Sequence, residues 1–478
     1  MIKGNIDLLT CNRVEGWACD TNNFAAKLSV HVLYDGKEIL RGMADRKRND
    51  LGKIHESQDF AFFLNFDTVA DVRKISVIVR TPQGEEATLP FRGRLPSDAP
   101  TPRKPLPALF WGLWPQIDDY AQLSSETLFA KVGGNTGNLA FLHAICKQID
   151  GMARGPLCET PVDSPKHIAV IPCANHLGSH CDLRGFADCV MQAKSRIVAL
   201  GLGAQSDAAK SIPEIPQGTL DWVRAIADHA PTPGYPNITL RGPFTQQVLE
   251  HYGLRDVGIV MGCPSLFISH DAELGRTLAR NFSRPRRVAV VAGNPYWKKL
   301  QKIEASLARI VTQTKGAYIA QHPILMVRLT RGEGAQLTLH QIEWFRNYTL
   351  PDMTIEETLM WLRTFGQVFF NADAWMEFYR HFDFVIGARI HGVLLALQAG
   401  VPAVCIAHDS RTQELCGTMR VPFVTPERIE NGVELDDLER LFAFDPEEFD
   451  KNRRRLCAEY VEFLQRNGLT PASWLRAF

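Results

Sequence analysis

Apolar and polar positions alternate with a period of two through the first part of the chain. Leu28, Val30 and Val32 share one face while Ser29 and His31 share the other, the pattern of a half-buried strand. Tyr34-Asp35-Gly36-Lys37 follows, and an Asp-Gly pair between two such runs predicts a hairpin whose turn needs positive φ. Residues 74–79 and 87–91 form a second pair around Pro82-Gln83-Gly84. Residues 1–92 therefore read as a small all-β domain. Residues 92–107 are Pro-rich, basic and aperiodic, which predicts a stiff, extended linker occupying about 93–107.

Beyond the linker the period changes. Short apolar runs at 167–172, 196–201, 237–240 and 258–261 alternate with helical patterns at 139–148, 182–194, 220–229 and 243–251. A second series of strands is expected at 286–293, 324–327, 367–370, 383–387 and 403–407, with Thr354 and Glu357 as a capping box and Asp373 as N-cap of a helix over 374–381. Alternating strands and helices of this kind build parallel sheets. The expected fold is α/β: two Rossmann-like domains, 108–284 and 285–433, preceded by the all-β domain and followed by a helical tail, 434–478. Their site should lie at the carboxyl ends of the strands.

Composition narrows the function classes. The 478 residues include 45% apolar and 22% charged residues, an ordinary globular balance. Lys plus Arg and Asp plus Glu both number 53, so no chain-wide field draws the protein to nucleic acid or an anionic membrane. The 11 cysteines are odd in number and irregularly spaced, and the first residues lack an apolar signal core, which suggests reduced thiols and a cytoplasmic protein. The longest nearly apolar stretch, 392–407, is interrupted by Gln398 and Gly400-Val401-Pro402 and is too short to span a bilayer.

Candidate chemistry gathers at strand ends. In Gly387-Ala388-Arg389-Ile390-His391-Gly392 a strand gives way to a helix, so free backbone N–H groups, a guanidinium and an imidazole meet: an anion site with a proton donor beside it. The bland alternative is a capping Arg and a core-edge His. Thr239-Leu240-Arg241-Gly242-Pro243 places a second Arg at such a junction, and His408-Asp409-Ser410-Arg411 supplies His, Asp and Arg at a third. Gly133-Gly134-Asn135-Thr136-Gly137-Asn138 precedes a helix and suits an anion, although no GxGxxG or GxxxxGK[ST] motif occurs. The segment 172–182 crowds Cys, His and Asp but matches no zinc spacing; Asn175, His176, His180 and Asp182 read better as sugar contacts, or as plain loop.

In order, these motifs, with Gly201-Leu202-Gly203-Ala204-Gln205 and Gly262-Cys263-Pro264-Ser265-Leu266-Phe267, resemble the polysaccharide pyruvyl transferase family from about Gly133 to Pro422. Residues 13–66, with Glu15-Gly16-Trp17-Ala18, Tyr34-Asp35-Gly36, Ala44-Asp45 and Arg48-Asn49-Asp50-Leu51, are similar to a small β-domain attached to bacterial surface-polysaccharide glycosyltransferases. The resemblance implies two domains of glycosyltransferase-B type and transfer of a pyruvyl group from phosphoenolpyruvate to two sugar hydroxyls as a cyclic ketal, with no metal or organic cofactor. It suggests polysaccharide-assembly enzymes as partners.

A donor with a carboxylate and a phosphate needs at least two cationic or N–H-rich contacts. Arg241, Arg389, Ile390, Arg411 and Asn135 are the expected donor ligands, His391 the general acid, and Asn175, His176 and His180 the acceptor ligands. Where the family commonly carries Asp after the Gly of its first motif, this chain has Asn138; Asp182 or Asp409 is then the candidate base. Two other readings remain: a nucleotide-sugar glycosyltransferase, for which Glu414 is the candidate ribose ligand, and a non-catalytic polysaccharide-assembly partner, which Asn138 favours.

Overall fold

A computed structural model describes residues 1–9, 13–48, 51–52, 54–66, 69, 72–91, 106–157, 160–206 and 211–478. Most of the expected linker, 92–105, and Asn49 and Asp50 of the amino-terminal motif lie outside the described residues. The chain divides into two compact units, residues 1–100 and 101–478.

In the first unit, β1 (Ile2–Leu9), β2 (Arg13–Asp20), β3 (Leu28–Tyr34), β4 (Lys37–Ala44), β5 (Ala61–Asn65), β6 (Ile75–Arg80) and β7 (Glu86–Thr88) form two antiparallel sheets, ordered β1-β2-β5 and β4-β3-β6-β7. Val14 and Phe62 from one sheet and Val30, Val32 and Val77 from the other fill a common core. The Asp35-Gly36 turn has φ of 52° and 82°, the conformation its sequence demands. His31, on the polar face of β3, is nevertheless buried: it meets Ser29 Oγ at 2.9 Å and Glu38 Oε2 at 2.7 Å.

The second unit holds both α/β series. β8 (Ala108–Phe110), β9 (Ala153–Arg154), β10 (Ile168–Pro172), β11 (Arg196–Leu202), β12 (Ile238–Leu240) and β13 (Gly258–Val260) form a parallel sheet ordered β13-β12-β11-β10-β8-β9. β14 (Val288–Val291), β15 (Ala317–Ile319), β16 (Gly366–Gln367), β17 (Phe384–Gly387), β18 (Ala403–Ile406) and β19 (Phe423–Val424) form a second, ordered β16-β15-β14-β17-β18-β19. Helix Asn138–Gln148 of the first series packs on helix Ile390–Gln398 of the second, and one apolar core runs from Val170 through Leu142 and Leu394 to Val291. Their faces are apolar almost all round, as burial between two sheets requires.

Three expectations fail locally, the first being the strand at 367–370, which is confined to Gly366–Gln367. Residues 324–327 are not a strand but the start of helix Ile324–Thr330, which begins after Pro323; the strand of this region is β15, seven residues earlier. A short apolar run reads equally as strand or buried helix, and a preceding Pro favours helix initiation. The N-cap near 373 is Asn371, whose Oδ1 accepts from Ala374 N at 2.9 Å; Asp373 sits within the first turn of Ala372–Tyr379 and faces His143 at 3.4 Å. The Thr354–Glu357 capping box is present, with bonds of 3.2 and 2.8 Å.

The last 45 residues return to the first series. Helix Pro446–Arg466 packs on helix Leu274–Asn281 and caps it from outside: Asp450 accepts from Gly275 N at 2.6 Å and Arg276 N at 3.1 Å. Arg453, wholly buried, donates to the carbonyls of Leu266, Ser269 and Asp271 at 2.9, 2.6 and 2.5 Å. Arg284 and Asp436, where the chain leaves and re-enters, pair at 2.7 Å.

Candidate active site

Two adjoining clefts open where the carboxyl ends of both sheets meet. The first is lined by Asn135, Asn138, Asn175, Arg241, Trp297, Gln321, Arg389, Ile390, His391 and Arg411, among others. The second shares Trp297, Arg389 and Arg411 and adds Gln205, Ser206, Asn294, His322, His408, Asp409 and Ser410. Asn175 follows β10, Arg241 β12, Asn294 β14, Gln321 β15, Arg389 β17 and His408 β18, so each sits just past a strand's carboxyl end. Close packing fixes this junction: a Cβ on Gly387 would stand 2.1 Å from Val291 O, and one on Gly392 would stand 2.5 Å from Gln321 Nε2.

Two of the three arginines in the first cleft, Arg241 and Arg389, form no ion pair among the described residues. Arg241 is 2% exposed; it donates to Asn175 Oδ1 at 2.7 Å and Cys173 O at 3.4 Å, and its buried Nε has no partner among the described residues. Arg389 lies over Trp297, 4.8 Å from the ring centroid, and donates to His322 O at 3.3 Å; its Nε is likewise buried with no partner among the described residues. Burial, then repulsion from Arg411, lowers its pKa to about 10. Arg411 alone of the three forms an ion pair among the described residues, with Asp409 at 3.0 Å. Unpaired buried guanidinium groups are costly, and a bound anion removes the cost.

His391 stands in the first turn of helix Ile390–Gln398, its ring 5.4 Å from that of Phe141 and its Nε2 3.6 Å from Cys263 Sγ. Burial, then Arg241 and Arg411, pushes its pKa well below the ordinary histidine value, so the free site holds a neutral imidazole.

The structure separates the other expected site residues. Asn135 is in the first cleft, its Oδ1 accepting from Gly137 N at 2.9 Å. Asp409 reaches only the second, and it is occupied: it caps helix Ser410–Met419 through Thr412 N at 2.7 Å and Thr412 Oγ1 at 2.6 Å, besides pairing with Arg411. Burial raises its pKa, but Arg411, His408 and the Thr412 bonds outweigh that and leave it low. His176, His180 and Asp182 line neither cleft. His176 packs edge-on against Trp222, 5.4 Å away, and burial, then Arg241 and His180, lowers its pKa to about 4. His180 is exposed and reaches Asn175 O at 3.1 Å; Asp182 caps Arg184 N at 3.1 Å. These three shape the loop that presents Asn175, and do not face the cleft themselves. Glu414, the candidate ribose ligand, is spent on Thr245 N at 3.0 Å.

Asn138 donates its amide to Val132 O at 2.9 Å and Gly133 O at 3.4 Å, bonds that a carboxylate could not make. Gln321 and Trp297 escaped sequence reading. Gln321, 1% exposed with its Nε2 unpartnered among the described residues, lies between Gly137 and Gly392 at the starts of the two packed helices. Recognising β15 as a strand would have placed it at a strand end. Trp297 could have been found from Asn294-Pro295-Tyr296-Trp297, which follows the strongest apolar strand of the second series. Among the described residues no group of three or more His, Cys, Asp or Glu is arranged to hold a metal ion, and no helix is long and apolar enough to cross a membrane.

Comparison with known proteins identifies one family. The profile of the family described as polysaccharide pyruvyl transferase matches residues 135–410. No curated protein matches the chain. Among solved structures, the dodecameric iron-containing glycosyltransferase TibC from enterotoxigenic E. coli H10407 is 9% identical, aligned over 96% of each chain with a TM-score of 0.19. Cwp6 from Clostridium difficile is 9% identical over 89% of this chain and 65% of its own, with a TM-score of 0.14. Such scores carry no argument about fold or function. The family match covers more than half the chain and takes in every cleft residue named above except Arg411, and the protein belongs to the polysaccharide pyruvyl transferase family.

Proposed function

We propose that the protein transfers a pyruvyl group from phosphoenolpyruvate to two hydroxyls of a sugar in a bacterial surface polysaccharide or its precursor. One observation carries this reading: Arg241 Nε, Arg389 Nε and Gln321 Nε2, all buried and without partners among the described residues, belong to side chains that line one cleft. A small, multiply charged anion satisfies them at once. Arg241 and Arg389 bind its carboxylate and phosphate, and the free N–H groups at Ile390 add the positive end of a helix.

The chemistry follows from the charges. The donor's negative charge raises the pKa of His391, which takes up a proton and delivers it to the enol carbon C3, making C2 electrophilic. One sugar hydroxyl attacks C2, phosphate leaves with the electrons of the C–O bond, and a second hydroxyl closes the ketal. The arginines that bound the phosphate stabilise the charge it gains on departure. We read the two parallel sheets as a glycosyltransferase-B arrangement, the site as free of metal and organic cofactor, and the protein as cytoplasmic, working beside other polysaccharide-assembly enzymes.

The test is thermal stabilisation and phosphate release with phosphoenolpyruvate, and separately with nucleotide sugars. Stabilisation by phosphoenolpyruvate, lost in Arg241→Met and Arg389→Met, is expected. Stabilisation by a nucleotide sugar alone would overturn the reading.

A further inference from the structure

Among the described residues the first cleft supplies an acid but no carboxylate base. Asn138 is an amide, Asp409 is fully engaged, and Asp182 lies elsewhere. The hydroxyl proton needs another acceptor, and the acceptor sugar needs a place lined by residues other than His176 and His180, which line neither cleft.

The second cleft has the lining a pyranose requires. Gln205 and Asn294 offer amide groups for sugar hydroxyls beside the edge of Trp297, whose ring carries Arg389 at 4.8 Å and His408 at 4.0 Å, while Ser206 Oγ meets Ser211 Oγ at 2.8 Å. Asn294, 7% exposed, uses its Oδ1 on Tyr296 N at 3.1 Å, and its amide nitrogen has no partner among the described residues. Trp297, Arg389 and Arg411 belong to both clefts, so a sugar in the second abuts a donor in the first.

His322 completes the arrangement. Its Nδ1 lies 2.8 Å from Gly134 O, and a carbonyl only accepts, so Nδ1 carries the proton. In the neutral ring Nε2 therefore bears the lone pair. The Phe129 ring stacks on the imidazole at 5.9 Å, and among the described residues the charged or titratable groups around the cleft are Arg389, Arg411, His408 and Asp409. Burial lowers the pKa of His322, the Gly134 bond raises it, and Arg389 lowers it; the net shift is downward, which keeps the ring neutral.

We propose that the second cleft is the acceptor-saccharide site and that His322 Nε2 is the base receiving the attacking hydroxyl's proton. The proposal rests on the phosphoenolpyruvate reading of the first cleft. The acceptor oxygen bonds to C2 as its proton passes to His322 and C3 takes a proton from His391. When phosphate leaves and the second hydroxyl bonds to C2, that hydroxyl's proton restores His391, and the proton held by His322 leaves with phosphate. The two hydroxyl protons thus account for the new C–H bond and for hydrogen phosphate.

The test uses the full chain, phosphoenolpyruvate, and methyl β-D-galactopyranoside, methyl β-D-glucopyranoside and methyl N-acetyl-β-D-mannosaminide as probes. Donor binding is read by tryptophan fluorescence and transfer by glycoside-stimulated phosphate release. At least one glycoside should stimulate release. Asn294→Ala should raise its KM by about tenfold or more, and His322→Gln should lower kcat by about a hundredfold and abolish the acid limb of the pH–rate profile. Both variants should bind phosphoenolpyruvate within about twofold of the parent, which also certifies their folding. Unchanged glycoside kinetics in either variant, or no response to any glycoside, would overturn the proposal. Failure of the parent to bind phosphoenolpyruvate would instead sink the donor assignment, and this proposal with it.

Discussion

Cys263 Sγ stands 3.6 Å from His391 Nε2 and itself accepts a 2.9 Å hydrogen bond from Ser265 Oγ. Cys263 is buried and lines neither cleft, so it acts on the imidazole from behind. Cys263→Ala should reduce kcat on the order of tenfold, about 1.4 kcal/mol, while the KM for phosphoenolpyruvate stays within about twofold. Cys263→Ser should recover part of the loss. An equal fall in kcat/KM for every variant that merely lowers Tm would point to a packing role.

Donor binding should take up a proton. His391 is neutral in the free site because burial and two arginines disfavour its charged form, and the donor's negative charge reverses that balance. Calorimetric titration with phosphoenolpyruvate in buffers of different ionisation enthalpy should reveal net uptake near neutral pH. His391→Gln should still bind the donor and should lose the uptake.

His176 should make the fold acid-sensitive. Its pKa is about 4 when folded, against roughly 6.5 when unfolded, so the unfolded chain binds the extra proton first as pH falls. Stability is therefore full above pH ~6.5 and declines toward pH 4, by about 3 kcal/mol for this residue alone. Denaturant titrations from pH 7 to 4 should show a shallower slope in His176→Gln than in the parent. Parallel slopes would remove His176 as the cause.

Gln321→Glu places a carboxylate where the starts of two helices and two arginines invite the donor's anion. Its KM for phosphoenolpyruvate should rise about tenfold or more at neutral pH, with Gln321→Ala less affected. A glutamate variant that binds the donor as well as the parent would remove Gln321 from the donor site.

Asn138→Asp should not improve catalysis. The new carboxylate would confront Val132 O and Gly133 O, to which the amide now donates, at a cost of about 1–3 kcal/mol. A lower Tm with no gain in turnover is expected; a faster enzyme would identify position 138 as the base.

Much of this site could be read from sequence because its residues sit where strand patterns stop. Arg241, Arg389 and His391 follow apolar runs and precede helices, and local signals suffice for such positions. Gln321 and His322 were hidden because β15 has only three residues, while the longer apolar run after Pro323 belongs to a helix. Asp182, His176 and His180 have suitable chemistry, but loop geometry turns them onto Arg184, Trp222 and Asn175, which no spacing rule reveals. Asp409 illustrates a further limit: a carboxylate placed before a helix is as useful for capping as for catalysis.

The chain passes between the two α/β series twice, outward after helix Leu274–Asn281 and back into helix Pro446–Arg466, and those two helices lie together with Arg284 and Asp436 bridging the crossing. These two adjacent covalent tethers and the apolar core common to both series hold the walls of the clefts within one compact unit. Two further bonds join the series beside the clefts, Thr136 N to Gln321 O at 3.2 Å and His322 Nδ1 to Gly134 O at 2.8 Å. The bond that fixes the His322 tautomer is thus also one that joins the two series, so the proton state of the proposed base depends on their staying together.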